Sequence, residues 1–166
     1  WAPRALRLGD AHRLSSGAGI RVAVLDTGVD LQHPAFAGKL LPGFDFIDGD
    51  HDPSEAGGPG DLGYGHGTHV AGLVALVAPG ARIMPLRVLG PDGSGNTWAL
   101  AEALLYAVNP DGDPTTDDGA HVINLSLGSV APTKILETVA KLVTCRKPEP
   151  GSDPGYASDK KRCEGL

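Results

Sequence analysis

The chain has 166 residues, enough for one domain with a hydrophobic core of its own. Its 41% apolar and 20% charged residues are those of a globular chain rather than a disordered one, and a net charge of -6 argues against a nucleic-acid partner, which needs a basic footprint. No stretch reaches the roughly 18 consecutive apolar residues of a membrane span, and no charged-then-apolar leader opens the sequence, so any secretion signal has been removed or was never present.

Residues Ala2 to Gly19 are polar and turn-rich, which predicts an arm with a short helix. Ile20 to Leu25 is an apolar, β-branched run that suits a strand buried on both faces of a parallel sheet. Leu31 to Pro53 is broken by Pro34, Pro42 and Pro53, with a weak strand at Phe44 to Ile47, and Glu55 to Gly65 is a Gly-rich loop. Thr68 to Val77 is apolar almost all round, which predicts a central buried helix. Arg82 to Leu89 reads as the next strand, and Pro85 within it predicts an edge strand or a bulge. Trp98 to Val108 has the pattern of an amphipathic helix with Asn96 or Thr97 as its cap. Val122 to Leu127 reads as a strand and Ile135 to Val143 as a helix. Strands and helices alternate without any repeat, so the expected class is α/β, with a mostly parallel sheet and helices on both faces. Beyond Val143 the tail is polar and Pro-rich and shows no further core element; Cys145 and Cys163 could pair there or remain free thiols, and they do not fix a compartment.

Chemistry concentrates in two stretches, IRVAVLDTG at Ile20 to Gly28 and HGTHVAG at His66 to Gly72. Sites in parallel α/β sheets gather at the carboxyl ends of strands, which is where Asp26 falls. His66 falls at the amino end of the following helix, where extra positive charge is disfavoured and a neutral imidazole is available as a base. A buried carboxylate can fix the tautomer of such an imidazole and stabilise its cation. Taken singly, an Asp-Thr-Gly corner or a histidine in a Gly-rich loop is ordinary. His66 and His69 lie one helical turn apart, but no third ligand follows at a conventional spacing, so the reading is no metal site, with His69 a satisfied core histidine.

Joined in order, these motifs carry a resemblance. VLDTGVD around Asp26 and GHGTHVAG around His66 resemble the catalytic Asp and His motifs of subtilisin-like serine proteases, the subtilase or peptidase S8 family. VLGPDGSG (Val88 to Gly95) and VINLSLG (Val122 to Gly128) resemble the two backbone edges between which that family holds its substrate. The resemblance covers Trp1 to Val143, the amino-terminal half of such a peptidase domain, and leaves 144–166 as an atypical tail. It implies a three-layer α/β/α fold, here incomplete, in which Asp26 orients and stabilises His66 and His66 acts as general base and acid. Gly93, Ser94 and Gly95 would form one wall, and Ser126, Leu127 and Gly128 the other, gripping an extended peptide as an added strand. It further implies a secreted, monomeric endopeptidase acting on peptides or proteins, with no membrane partner and no cofactor in its chemistry.

The chain also departs from the family. Many members carry an inserted calcium loop where this sequence passes from helix to strand through Ala78, Pro79 and Gly80, so that site is not expected. Conversely, Asn109 to Gly119 is an acidic insertion whose Asp111, Asp113, Asp117 and Asp118 offer oxygens suited to a structural calcium, although the absence of a closing bidentate Glu favours a solvated Asp-Gly turn. Past Val143 the family continues to an oxyanion-binding Asn and, much later, to a Gly-Thr-Ser turn bearing the nucleophile. Neither is recognisable, and Ser129, Ser152 and Ser158 stand at no strand-to-helix elbow. The expectation is therefore a chain that is truncated, misread past Val143, or one partner of a split protein. Two functions follow: the Asp and His portion of a serine endopeptidase without its nucleophile, or a non-catalytic remnant that binds extended peptides.

Overall fold

A computed structural model describes residues 2–128 and 133–144. The three serines just named and both cysteines lie outside the described residues. Four strands form one sheet: β1 (Arg21–Asp26), β2 (Phe44–Asp45), β3 (Arg82–Arg87) and β4 (Val122–Leu125), in the order β2-β3-β1-β4. Every pair in it is parallel. The helices are α1 (Ala2–Ala5), α2 (Leu8–Leu14), α3 (His66–Val77), α4 (Thr97–Val108) and α5 (Lys134–Thr144). The arm thus holds two short helices where one was expected. Its Leu8 is buried, and the His12 ring bonds the Val77 carbonyl at the end of α3 at 3.1 Å.

Strand alternation sorts the core into two clusters. Val22, Val24 and Ile83 face Val70 and Ala71 of α3. Ala23, Leu25, Met84 and Leu86 face Ala103, Leu104 and Ala107 of α4, with Val139 of α5 joining them. Helices on both faces of a parallel sheet make three layers, the α/β class that the alternation of elements predicts in the three-layer form that the resemblance implies. Phe44 and Phe46 lie with their ring centroids 5.7 Å from that of Tyr106, fastening the short strand β2 beneath α4. The helix α4 starts on Asn96, whose side chain accepts the Ala99 amide at 2.8 Å, so Asn96 rather than Thr97 is the cap.

Three expectations need correction. Pro85 does not mark an edge: β3 is an interior strand, and Pro85 is fully buried opposite Val24. The amides of Arg82 and Ile83 point to β1 and to Lys39 respectively, so alternation aims the nitrogen of Pro85 toward the β2 side. The chain there lies between the Leu40–Ile83 bridge and the Phe44–Leu86 pair, so no ladder bond is lost. Gly43 crosses this gap, where a Cβ would collide with the Pro85 carbonyl oxygen. Second, β2 stops at Asp45 instead of Ile47, because the Asp45 carboxylate accepts the amides of Ile47 (2.7 Å) and Asp48 (3.0 Å) and curls the chain out of the sheet. Third, α3 is buried on one side only. Leu73, Leu76 and Val77 are 44%, 38% and 47% exposed, because Val70 and Ala71 take the side that packs on the sheet.

Adjacent leucines on α4 test this layering, because Leu104 is 4% exposed and Leu105 is 47% exposed. Leu104→Ala is expected to cost about 2–4 kcal/mol through lost transfer energy and a residual cavity, and Leu105→Ala less than about 1 kcal/mol, measured as shifts of the urea unfolding midpoint. Equal costs would contradict the assignment of the α4 face.

Candidate active site

β1 ends in the middle of the sheet, so its terminal Asp26 emerges already flanked by strands and is 1% exposed. Its Oδ1 accepts the Thr27 amide at 2.8 Å and lies 2.6 Å from Nδ1 of His66. An ionised carboxylate can only accept, so Nδ1 carries the proton and the lone pair of neutral His66 resides on Nε2. The His66 side chain is 46% exposed, one nitrogen tied to a buried anion and the rest of the ring open to solvent.

The close approach of α3 to the end of β1 fixes this pair. The Gly67 amide donates to Thr27 Oγ1 at 3.1 Å, and a Cβ on Gly67 would meet the Gly28 carbonyl oxygen, so only glycine lets the first turn sit against the Asp loop. The Asp30 amide donates to Thr68 Oγ1 at 2.7 Å, and the Thr68 amide donates to Glu55 at 3.2 Å, placing a carboxylate at the helix amino end. Thr27 and Glu55 escaped the sequence reading as positioning groups. Thr27 stands inside the Asp motif and could have been found there; nothing local marks Glu55. His69 is exposed, contrary to the core position expected of it, because Val70 and Ala71 take the sheet side of α3.

A cleft of about 650 Å³ opens beside His66. It is lined by all six expected wall residues, Gly93, Ser94 and Gly95 on one side and Ser126, Leu127 and Gly128 on the other. The first wall follows β3 and is braced by the Asp92 carboxylate, which accepts the Ser94 amide at 2.9 Å and the Ser94 hydroxyl at 2.8 Å. Those two bonds hold the Asp92 carboxyl below its ordinary pKa. The second wall continues beyond the last β1–β4 pair, Leu25–Leu125, where sheet pairing ends. Leu62, Leu100 and Leu136 also line the cleft and were not singled out in the sequence. Both serines in it are engaged elsewhere, Ser94 with Asp92 and Ser126 Oγ with Asn124 Oδ1 at 2.9 Å.

The carboxylates of the acidic insertion bond within it and to Arg21 of β1. Asp111 accepts the Asp113 amide at 2.8 Å and Asp118 accepts the Asp111 amide at 3.2 Å, while Asp113 accepts the Thr115 amide at 2.9 Å and Asp117 pairs with Arg21 at 2.8 Å. Among the described residues no group of three or more His, Cys, Asp or Glu side chains is placed to hold a metal ion.

A buried ion cluster beside the Asp–His pair has no counterpart in the sequence reading. Arg87 at the end of β3 is 4% exposed; its Nη1 donates to the Asp45 carboxylate and to Asp48 Oδ2, the latter at 2.6 Å. Burial alone would lower the guanidinium pKa and is the largest single influence, but the hydrogen bonds to Asp48 and Asp45 and their charges together raise it above its ordinary value. The cluster forms because β2, β3 and β1 bring Asp45, Arg87 and Asp26 side by side in register. Among the described residues two buried side-chain atoms lack a hydrogen-bond partner, Asp26 Oδ2 and Arg87 Nε. A buried donor or acceptor with no partner at all, water included, would cost about 1–3 kcal/mol, and more when charged.

Comparison with known proteins identifies the family of the chain. The family described as the Subtilase family matches residues 17–162. The thermophilic serine proteinase of Bacillus sp. (strain AK1) is 41% identical over 138 residues, covering 77% of this chain and 30% of that protein. The minor extracellular protease Vpr of Bacillus subtilis (strain 168) is 44% identical over 124 residues, covering 69% of this chain and 14% of that protein. A solved protease structure from Pseudoalteromonas arctica superposes with a TM-score of 0.68 at 31% identity, covering 82% of this chain and 49% of that one. The chain thus spans less than half the length of each of these three proteins. With the family matched across most of its residues, the chain belongs to the subtilase family.

Proposed function

We propose that the chain supplies the acid–base half and the substrate-binding edges of a serine endopeptidase. The observation that carries this reading is the 2.6 Å contact between Asp26 Oδ1 and His66 Nδ1, with the imidazole half exposed at the mouth of a cleft. Asp26 holds His66 in the tautomer whose Nε2 can accept a proton from an attacking hydroxyl and return it to the leaving amine. The backbone of Gly93 to Gly95 and of Ser126 to Gly128 grips an extended peptide from both sides, and its main-chain bonds bring the scissile carbonyl to His66. The nucleophilic serine is one this chain does not supply, since the two serines of the cleft, Ser94 and Ser126, are bonded to Asp92 and Asn124 and no other serine stands in a Gly-Thr-Ser turn. No cofactor enters the chemistry. The protein acts as a monomer on peptides or proteins outside the cell; secretion is supported by the extracellular relative, and no helix among the described residues is long and apolar enough to cross a membrane.

A second reading, a remnant that binds extended peptides without cleaving them, is favoured by the same two serine contacts. A fluorophosphonate probe, read by intact mass on this chain and on the longest natural form of the protein, separates the two. The expected result is no adduct on this chain and one adduct on a serine beyond it in the longer form, lost on His66→Ala. Turnover of an internally quenched peptide should fall by about a millionfold in that variant, a magnitude known from subtilisin itself rather than deduced from this geometry. An adduct on a serine within the chain would overturn the assignment of the nucleophile to sequence outside it. Absence of any adduct in the longer form would leave only peptide binding.

The grip on the peptide is tested separately by titrating the isotope-labelled chain with an extended peptide and with its N-methylated analogue. Amide signals of Gly93 to Gly95 and Ser126 to Gly128 should move together, and N-methylation should weaken binding by about tenfold or more, one charge-free hydrogen bond per blocked amide. Equal affinity for both peptides would show that main-chain bonds do not hold the substrate.

A further inference from the structure

We propose that Arg87 is a positioning residue for the Asp26–His66 pair, delivering its Nε–H to the free oxygen of Asp26 through one buried water. The inference deepens the reading of Asp26 and His66 as the acid–base pair and rests on it.

Three observations carry it. First, Asp26 and Arg87 are register partners on adjacent parallel strands, with Asp45 the next in the same row. Side chains of such partners leave the sheet on the same face, here the α3 face, where Val22, Val24 and Ile83 of the same alternation pack on Val70. Strands lie about 4.8 Å apart, a spacing that a side chain and a single water molecule readily bridge. Second, the two buried orphans among the described residues fall on these two residues, Oδ2 of Asp26 and Nε of Arg87. Third, their polarities are complementary: the carboxylate oxygen only accepts and the guanidinium N–H only donates. A water between them accepts from Nε–H and donates to Oδ2, satisfying both. Buried orphans are rare in folded proteins, and two of opposite kind on neighbouring side chains answer one another.

Part of the guanidinium is already committed, since Asp45 and Asp48 take Nη1 from the β2 side, and Nε is the buried donor left without a partner. With this link the Asp26 carboxylate is held at both oxygens: Oδ1 by the Thr27 amide and His66, Oδ2 by the water on Arg87. Its plane is then fixed, and the imidazole bonded to it inherits that orientation. Lysine does not reproduce this arrangement, because its three N–H donors all leave one terminal nitrogen and its stem carries none.

Nuclear magnetic resonance on the intact chain tests this. The Arg87 Nε–H signal is expected to be protected from exchange, to show cross-relaxation with a long-lived water, and to shift in Asp26→Asn. Arg87→Lys keeps the cation but removes Nε–H, so Asp26 becomes a stronger acceptor for its remaining side-chain donor and the His66 Nδ1 proton should move downfield. Asp48→Asn, on the exposed flank of the cluster, should leave that proton in place. An Arg87 Nε–H that exchanges at the rate of free solvent, or one indifferent to Asp26→Asn, would overturn the proposal. If Arg87→Lys does not fold, the unaltered chain and Asp26→Asn decide the matter alone. None of these readouts requires turnover, so the proposal can hold in a chain without peptidase activity and fail in one that has it.

Discussion

Burying the carboxylate of Asp26 is the constraint around which the described part of the molecule is arranged. A charge that is 1% exposed is tolerable only where donors replace its lost water. The central position of β1 removes the water, and the turn at Thr27 and the first turn of α3 return the donors. Bringing α3 that close requires the bare backbone of Gly67 against Gly28, and the helix is secured there by Thr27, Thr68 and Glu55. The two apolar clusters above and below the sheet hold β1 rigid while this polar knot forms at its end.

Much of the fold and the heart of the candidate site were legible in the sequence because they are local. An apolar β-branched run that stops on Asp-Thr-Gly announces its strand and its corner together. A histidine that opens a small-residue helix likewise places itself. What failed was whatever depends on a partner distant along the chain. Pro85 looks like an edge marker until the gap opposite it, between Leu40 and Phe44, is known. The burial of α3 could not be judged, because a helix apolar on every side carries no periodicity to say which side has a neighbour. His69 was misplaced for the same reason. The row of Asp26, Arg87 and Asp45 is invisible without strand register, since a buried Arg and a solvated Arg are written with the same letter.

The cleft shows the opposite balance. Its two walls are stretches of backbone, expected from their resemblance to the family's substrate-holding edges, and the structure brings them to one place from either side of the sheet centre. The leucines that furnish it were not recognisable, because Leu62 sits in a loop and Leu100 and Leu136 read as ordinary helix positions. Main-chain geometry at this site is encoded by short motifs, whereas the side chains that would contact a substrate are recruited from elements whose own patterns speak only of packing.

The strand order has a consequence for how the chain comes to be folded. β1 and β2 are successive in sequence but never touch; each waits for β3, which inserts between them. As the polypeptide leaves the ribosome, the apolar strand ending in Asp26 therefore emerges with nothing to pair with. The loop bearing His66 follows, also without an anchor. Only when Arg87 has been made can the sheet nucleate, and only Leu125 completes the pairing of β1 on its other flank. Such non-local pairing is slow, and the exposed strand is vulnerable to intermolecular pairing in the interval. The arrangement that makes Asp26 the most protected carboxylate among the described residues leaves its strand waiting for shelter until later segments of the nascent chain arrive.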